Sequence, residues 1–174
     1  QAACAENSRG EDMMITGLCM RDCMKRRVIT VTAETTFQEA ARLVVDQHIG
    51  TLPVVDEEGK LTGVVRLHDL VGVFMPDFVA LLDNIDFVRD FGALEQAEAK
   101  VRVEVGGLTM GELAGPPVAV EEESGLMHAL ATILKHQIQD LPIVDNTGRL
   151  VGIASRVDIA VAFLAAWMAE EARG

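Results

Sequence analysis

One segment of this chain occurs twice. Ile49-Gly-Thr-Leu-Pro-Val-Val-Asp-Glu-Glu-Gly-Lys-Leu-Thr-Gly-Val is matched by Ile138-Gln-Asp-Leu-Pro-Ile-Val-Asp-Asn-Thr-Gly-Arg-Leu-Val-Gly-Ile, and Pro53 and Pro142 set an offset of 89. The register holds without a gap from Val31/Val120 and Glu34/Glu123 through Gly59/Gly148 and Gly63/Gly152 to Asp69/Asp158. A fixed internal period means one supersecondary unit built twice, so any architecture must place two equivalent units.

Each copy reads as the same series of elements. Val28 to Val31 is a short β-prone run, and Thr35 or Thr36 caps a helix whose apolar positions Phe37, Ala40, Ala41, Val44 and Val45 recur at helical spacing. Leu52 to Val55 and Leu61 to Val65 are compact apolar strands around an Asp56 to Gly59 turn, and a second helix starts near Asp69. The second copy repeats this with strands at Val118 to Val120, Leu141 to Val144 and Leu150 to Ala154, and with helices from Ser124 to His136 and from Arg156 to about Glu170. The expected fold class is therefore α/β, two β-α-β-β-α repeats. Neither copy buries much core alone, so the two are expected to pack with pseudo-two-fold symmetry.

Composition narrows the function. With 49% hydrophobic and 24% charged residues the chain can offset its ordering entropy, which excludes intrinsic disorder. A net charge of −12 repels a phosphate backbone, and 4% aromatic residues with no Tyr leave little for base stacking, so no nucleic-acid partner is expected. The longest apolar run, Ile159 to Ala169, falls short of the roughly 20 residues that cross a bilayer, so no membrane insertion is expected. No basic region followed by an apolar stretch opens the chain, and Cys4, Cys19 and Cys23 suit reduced thiols better than a disulfide framework. A cytoplasmic setting is the resulting expectation. Cys19 and Cys23, four apart, lack the further ligands of a zinc set, so no metal is expected. No phosphate-binding Gly-rich loop, His-Glu-x-x-His or nucleophile elbow is present, so the chain is not expected to be an enzyme and has no catalytic residues to name.

The pattern Leu-Pro-Val-Val-Asp-x-x-Gly-x-Leu-x-Gly-Val, followed six residues after its second Gly by Asp, closely resembles the cystathionine β-synthase (CBS) domain, which occurs as tandem pairs (Bateman modules). Met20-Arg-Asp-Cys-Met24 looks like the short turn that opens such a domain, with Leu108 to Leu113 as its counterpart. The boundaries implied are a flexible lead over 1–17, a first repeat over 18–74, a mainly helical insert over 75–107, and a second repeat with its closing helix over 108–170.

The resemblance implies a regulatory module that binds adenosine-containing ligands (AMP, ADP, ATP, sometimes S-adenosylmethionine) in clefts between the repeats. The stretch that usually carries this, Gly-apolar-x-Ser/Thr-x-x-Asp, is complete in the second copy as Gly152-Ile-Ala-Ser155-Arg156-Val-Asp158. An ionised Asp158 can accept from both ribose hydroxyls, while Ser155 and the N–H groups of a helix start favour a phosphate and Arg156 can add a fork to it. Val118 matches the family position lining the adenine pocket, and Ile29 is its counterpart in the first copy. Equally, Ser155 and Asp158 are common helix-capping types. The first copy keeps Asp69 but has Arg66 where the family has Ser or Thr, a residue that either binds a phosphate directly or fills the pocket. Lys25-Arg26-Arg27 reads either as a solvated face or as the countercharge of a polyphosphate at this first site, with Arg27 the residue whose substitution by Ala tests it. His68 and Asp69, adjacent on a helix, are not expected to face each other.

The insert carries Phe74, Phe78, Phe87 and Phe91, a helical pattern through Phe78, Leu81, Leu82, Ile85 and Val88, and an alternating Val101, Val103, Val105 strand pattern. A helical arm reaching a second subunit is the sharper expectation, and a helix laid over its own repeats the plainer one. Together with the very apolar closing helix it points to a homodimer that signals to an unidentified effector protein. The rival reading is a ligand-free dimerisation scaffold in which Asp69 and Asp158 merely cap helices.

Overall fold

The computed structural model describes residues 17–75 and 105–172. Residues 1–16 of the lead expected over 1–17, the helix from Phe78 and the Val101 and Val103 end of the expected strand lie outside the described residues. Val105 itself starts a single 3-10 turn, Val105–Gly107, because two consecutive glycines offer no side chains to a pleated ladder.

The element order is α1 (Met20–Cys23), α2 (Phe37–Gln47), β1 (Thr51–Val55), β2 (Leu61–Arg66), α3 (Leu67–Gly72), α4 (Met110–Leu113), β3 (Val120–Glu121), α5 (Leu126–His136), β4 (Asp140–Val144), β5 (Leu150–Ser155) and α6 (Arg156–Glu171). The repeat offset survives in the backbone. His48 and Gln137 end α2 and α5 in the left-handed region, at φ 53° and 52°, and Gly59 and Gly148 take φ 77° and 82° in the two turns. At the turns this conformation is open to glycine without a Cβ penalty. Thr36 caps α2 as expected: its hydroxyl accepts from the Glu39 N–H, and Glu39 Oε2 accepts from the Thr36 N–H at 2.9 Å.

β1 pairs with β2, and Val31 adds one parallel bridge to Val54. The expected strand over Val28 to Val31 is thus a single bridge. Four β-branched residues have the propensity, but a strand needs a partner along its length and only Val31 meets one. In the second copy β3 is two residues long and runs parallel to β4, with Val120 opposite Ile143, and β5 returns antiparallel to β4 with Leu141 opposite Ala154.

The compact units do not follow the repeats. One holds residues 31–54 and 63–115; the other holds the chain up to Thr30, residues 55–62 and the chain from Pro116 onward. Each body therefore carries the other repeat's opening turn. In the first unit α4 sits on the first repeat: Met110 N–H donates to Thr35 O at 2.8 Å, and Val64 and Gly115 exchange backbone hydrogen bonds of 3.1 and 3.0 Å. In the second unit α1 sits on the second repeat: Met20 N–H donates to Ser124 O at 2.9 Å, and Lys25 and Ile153 exchange bonds of 2.8 and 3.0 Å.

Core residues follow this exchange. Met20, of the first repeat, is fully buried in a cluster with Leu126, Ile133, Leu141, Ile143, Ala154 and Ile159 of the second. Met110 is equally buried in the first unit, whose core also holds Phe37, Leu52, Val54, Val65 and Leu70. Phe37 and Phe74 meet there edge to face with ring centroids 5.7 Å apart, a favoured aromatic geometry.

Candidate functional site

The junction of β5 and α6 places the second-copy residues. Ser155 leaves the strand with extended backbone and becomes the N-cap of α6. Its N–H and its hydroxyl both donate to Asp158 Oδ2, at 2.9 and 2.6 Å, and its Oγ accepts from the Asp158 N–H at 3.1 Å. That is a complete reciprocal cap, so the capping reading of these two residues holds. Capping uses one carboxylate oxygen. Asp158 Oδ1 has no hydrogen-bond or ion-pair partner among the described residues, and the side chain is partly exposed.

Lys25 completes the arrangement. Its ammonium lies 3.0 Å from Asp158 Oδ2. The backbone bonds of Lys25 to Ile153 fix its position beside β5, and Gly152 makes the approach feasible: a Cβ there would stand 2.5 Å from Met24 Sδ and 3.2 Å from Lys25 O. Burial pushes the Asp158 carboxyl up, but the Ser155 hydroxyl and N–H and the Lys25 ammonium outweigh it, so the net shift is below the ordinary aspartate value. The same carboxylate is felt by Cys23, whose thiol is pushed up first by burial and then by Asp158 and Asp22, leaving it a poor nucleophile.

The remaining second-copy candidates lie in the same unit. Val118 is half-buried against the core cluster. Arg156 is exposed, and its guanidinium donates to Gln139 Oε1 at 2.8 Å, which occupies one of its five N–H groups. Arg27 is exposed and Ile29 half-buried, both on the segment after Lys25 and both in this unit. Arg66 and Asp69 belong to the other unit.

There the junction of β2 and α3 makes half a cap. Arg66 N–H donates to Asp69 Oδ2 at 2.7 Å, but arginine has no acceptor with which to return the bond. His68 corrects the sequence reading: its Nε2 is 2.9 Å from Asp69 Oδ1, although the residues are adjacent. Helical spacing separates their Cβ atoms, but in a first turn the aspartate folds back on the cap and turns its other oxygen outward, within reach of the neighbouring ring. Among the described residues no group of three or more His, Cys, Asp or Glu could hold a metal ion, and no helix is long and apolar enough to cross a membrane.

Sequence reasoning missed Lys25 as the partner of Asp158, having assigned the basic trio to the first copy. The repeat register relates equivalent positions but does not say on which copy an opening turn packs.

The α6 cap predicts a pH-dependent response. Ser155→Ala is expected to cost about 1 kcal/mol in chemical denaturation. The loss is full above the ordinary aspartate pKa of about 4 and shrinks as pH falls through the lower value of the folded chain, because protonation weakens Asp158 as an acceptor for the hydroxyl. A cost independent of pH would mean that only the Asp158 N–H bond matters.

The CBS domain family model matches residues 20–76 and 110–165. CBSX1, a chloroplastic CBS domain-containing protein of Arabidopsis thaliana, is 33% identical over 147 residues, covering 80% of this chain and 61% of its own length. The CBS domain-containing protein YhcV of Bacillus subtilis is 33% identical over 142 residues, covering 82% of this chain and 83% of its own. The chain spans about three fifths of the length of the plant relatives it matches. The crystal structure of CBSX2, also from Arabidopsis thaliana, in complex with AMP aligns with a TM-score of 0.64 at 26% identity, over 86% of this chain and 98% of that one. With one family match over each copy of the repeat, the chain belongs to the CBS domain family and is a tandem CBS pair.

Proposed function

We propose that the chain is a regulatory module whose Asp158 site binds an adenine nucleotide, with AMP as the reference ligand and ADP, ATP and S-adenosylmethionine as competitors for it. The observation that carries this reading is the divided carboxylate: Oδ2 is locked by Ser155 and Lys25, which orients the group, while Oδ1 is left for a ligand hydroxyl. Val118 supplies an apolar wall for the base, and Ser155 and Arg156 at the start of α6 supply donors for a phosphate. The AMP complex of CBSX2 supports the choice of ligand class. Arg66, Asp69, Ile29 and Arg27 are the candidate contacts of a first-copy site.

Occupancy acts by population shift: a nucleotide that binds one arrangement of the repeats better favours that arrangement, and only the differential affinity does work. A homodimer passes the change to an effector protein. The exposed Val157, Val161, Leu164 and Met168, spaced four, three and four apart on α6, form the apolar stripe that such a dimer covers.

Thermal unfolding with each ligand tests the site, and light scattering on the same samples tests the dimer. A nucleotide at 100 times its Kd adds about 2.7 kcal/mol, and Asp158→Asn removes that gain. One observation favours a second reading: the α6 cap is complete without any ligand, as a scaffold requires. If no nucleotide raises the melting temperature while Asp158→Ala still destabilises the chain, the scaffold reading replaces this one.

A further inference from the structure

We propose that Lys25 is the residue by which the Asp158 site selects nucleoside phosphates over nucleosides. The inference deepens the nucleotide reading above and rests on it. It starts from an electrostatic problem. A carboxylate suited to ribose hydroxyls is a full negative charge beside the place where a phosphate must go, and alone it favours adenosine over AMP. Lys25 removes that obstacle in place, with its ammonium 3.0 Å from Asp158 Oδ2.

An ammonium has three N–H donors, and Asp158 takes one. The Lys25 side chain is 63% exposed, so the other two face solvent. Its backbone cannot drift, because both of its hydrogen bonds run to Ile153, two residues before the cap of α6. Among the described residues Lys25 is the cation paired with this carboxylate: Arg21, on the same opening turn, is paired with Glu122 and Glu123, Arg156 gives one of its N–H groups to Gln139, and Arg26 and Arg27 are exposed with no ion pair to Asp158. A cation from the first repeat thus serves the carboxylate of the second, which ties ligand choice in one body to the opening turn of the other repeat.

The test compares AMP with adenosine by calorimetry on wild type, Lys25→Met and Lys25→Arg, after melting curves have shown each variant folded. The expected result is a loss of about tenfold or more for AMP in Lys25→Met, with adenosine within about twofold and most AMP affinity recovered in Lys25→Arg. AMP binding by wild type should also weaken more with salt than that of Lys25→Met. Equal losses for both ligands overturn the proposal, because Lys25 then only holds Asp158 in place; so does no loss for either. An NMR titration of the Asp158 carboxyl in the unliganded proteins separates the two levels of inference, since its pKa should rise in Lys25→Met. If that rise is seen and wild type binds neither ligand, the nucleotide reading fails and takes this selection with it. If the rise is absent, the ion pair itself is not formed and the proposal fails alone.

Discussion

Met20→Ala is expected to destabilise the folded chain by about 2–5 kcal/mol, as much as truncating a large residue at the centre of a core. Nothing in the position suggests this locally, for Met20 opens a four-residue helix. The cost comes from where that turn lies: its side chain is fully buried among Leu126, Ile133, Leu141 and Ile159, which all belong to the second repeat. The turn cannot slide to refill the gap, because Met20 and Arg21 donate backbone hydrogen bonds to Ser124 and Glu122, both at 2.9 Å, and Lys25 is held to Ile153. A cavity therefore remains, and its loss of contacts adds to the lost transfer energy. Urea denaturation measures the effect, with Met127→Ala as the control: Met127 is 60% exposed on α5, and its truncation should stay within about 0.5 kcal/mol. Since a domain of this kind has about 5–15 kcal/mol in total, the first change removes a large share of the stability and the second almost none. If Met20→Ala behaves like the control, the opening turn is not part of the second core.

Much of the fold was legible because its signals are local. The 3.6-residue spacing of Phe37, Ala40, Ala41 and Val44 marks α2 as a helix, Thr36 marks its start, and the Asp-x-x-Gly turns place the hairpins. The offset of 89 then carried each element onto the second copy. What the pattern could not carry was partnership. Val28 to Val31 has strand propensity without a strand partner beyond Val31, and the basic trio reads as a feature of the first copy although the backbone of Lys25 is bonded to β5 of the second. His68 was misread for a related reason: helical spacing describes Cβ positions, whereas an aspartate that returns to cap its own helix points elsewhere. The site shows the same division. Ser155 and Asp158 follow from a seven-residue motif, but the fact that capping consumes one oxygen and leaves one open depends on three donors meeting Oδ2, one of them a lysine 133 positions away in sequence.

The repeated glycines Gly63 and Gly152 permit the same close approach, yet their substitution should not be equivalent. Gly63→Ala is expected to cost about 1–3 kcal/mol by overpacking, and more than Gly152→Ala. A Cβ at Gly63 would stand 2.8 Å from the Cβ of Ala114 and 3.4 Å from Gly115 O. Ala114 has no rotamer with which to withdraw, and the two hydrogen bonds between Val64 and Gly115 oppose any shift of the backbone. At Gly152 the nearest atoms, at 2.5 and 3.0 Å, are Sδ and Cγ of Met24, an unbranched side chain that can turn away, and only then does Lys25 O at 3.2 Å resist. Chemical denaturation of the two single variants gives the order directly. The double variant Gly63→Ala with Ala114→Gly identifies the cause: removing the Ala114 Cβ leaves the 3.4 Å contact as the nearest, so most of the loss should return, less the roughly 0.5–1 kcal/mol that an added glycine takes from a well-ordered backbone. If the double variant is no better than Gly63→Ala alone, the strain lies in β2 itself and the packing of the opposite repeat's opening turn is not what requires glycine there.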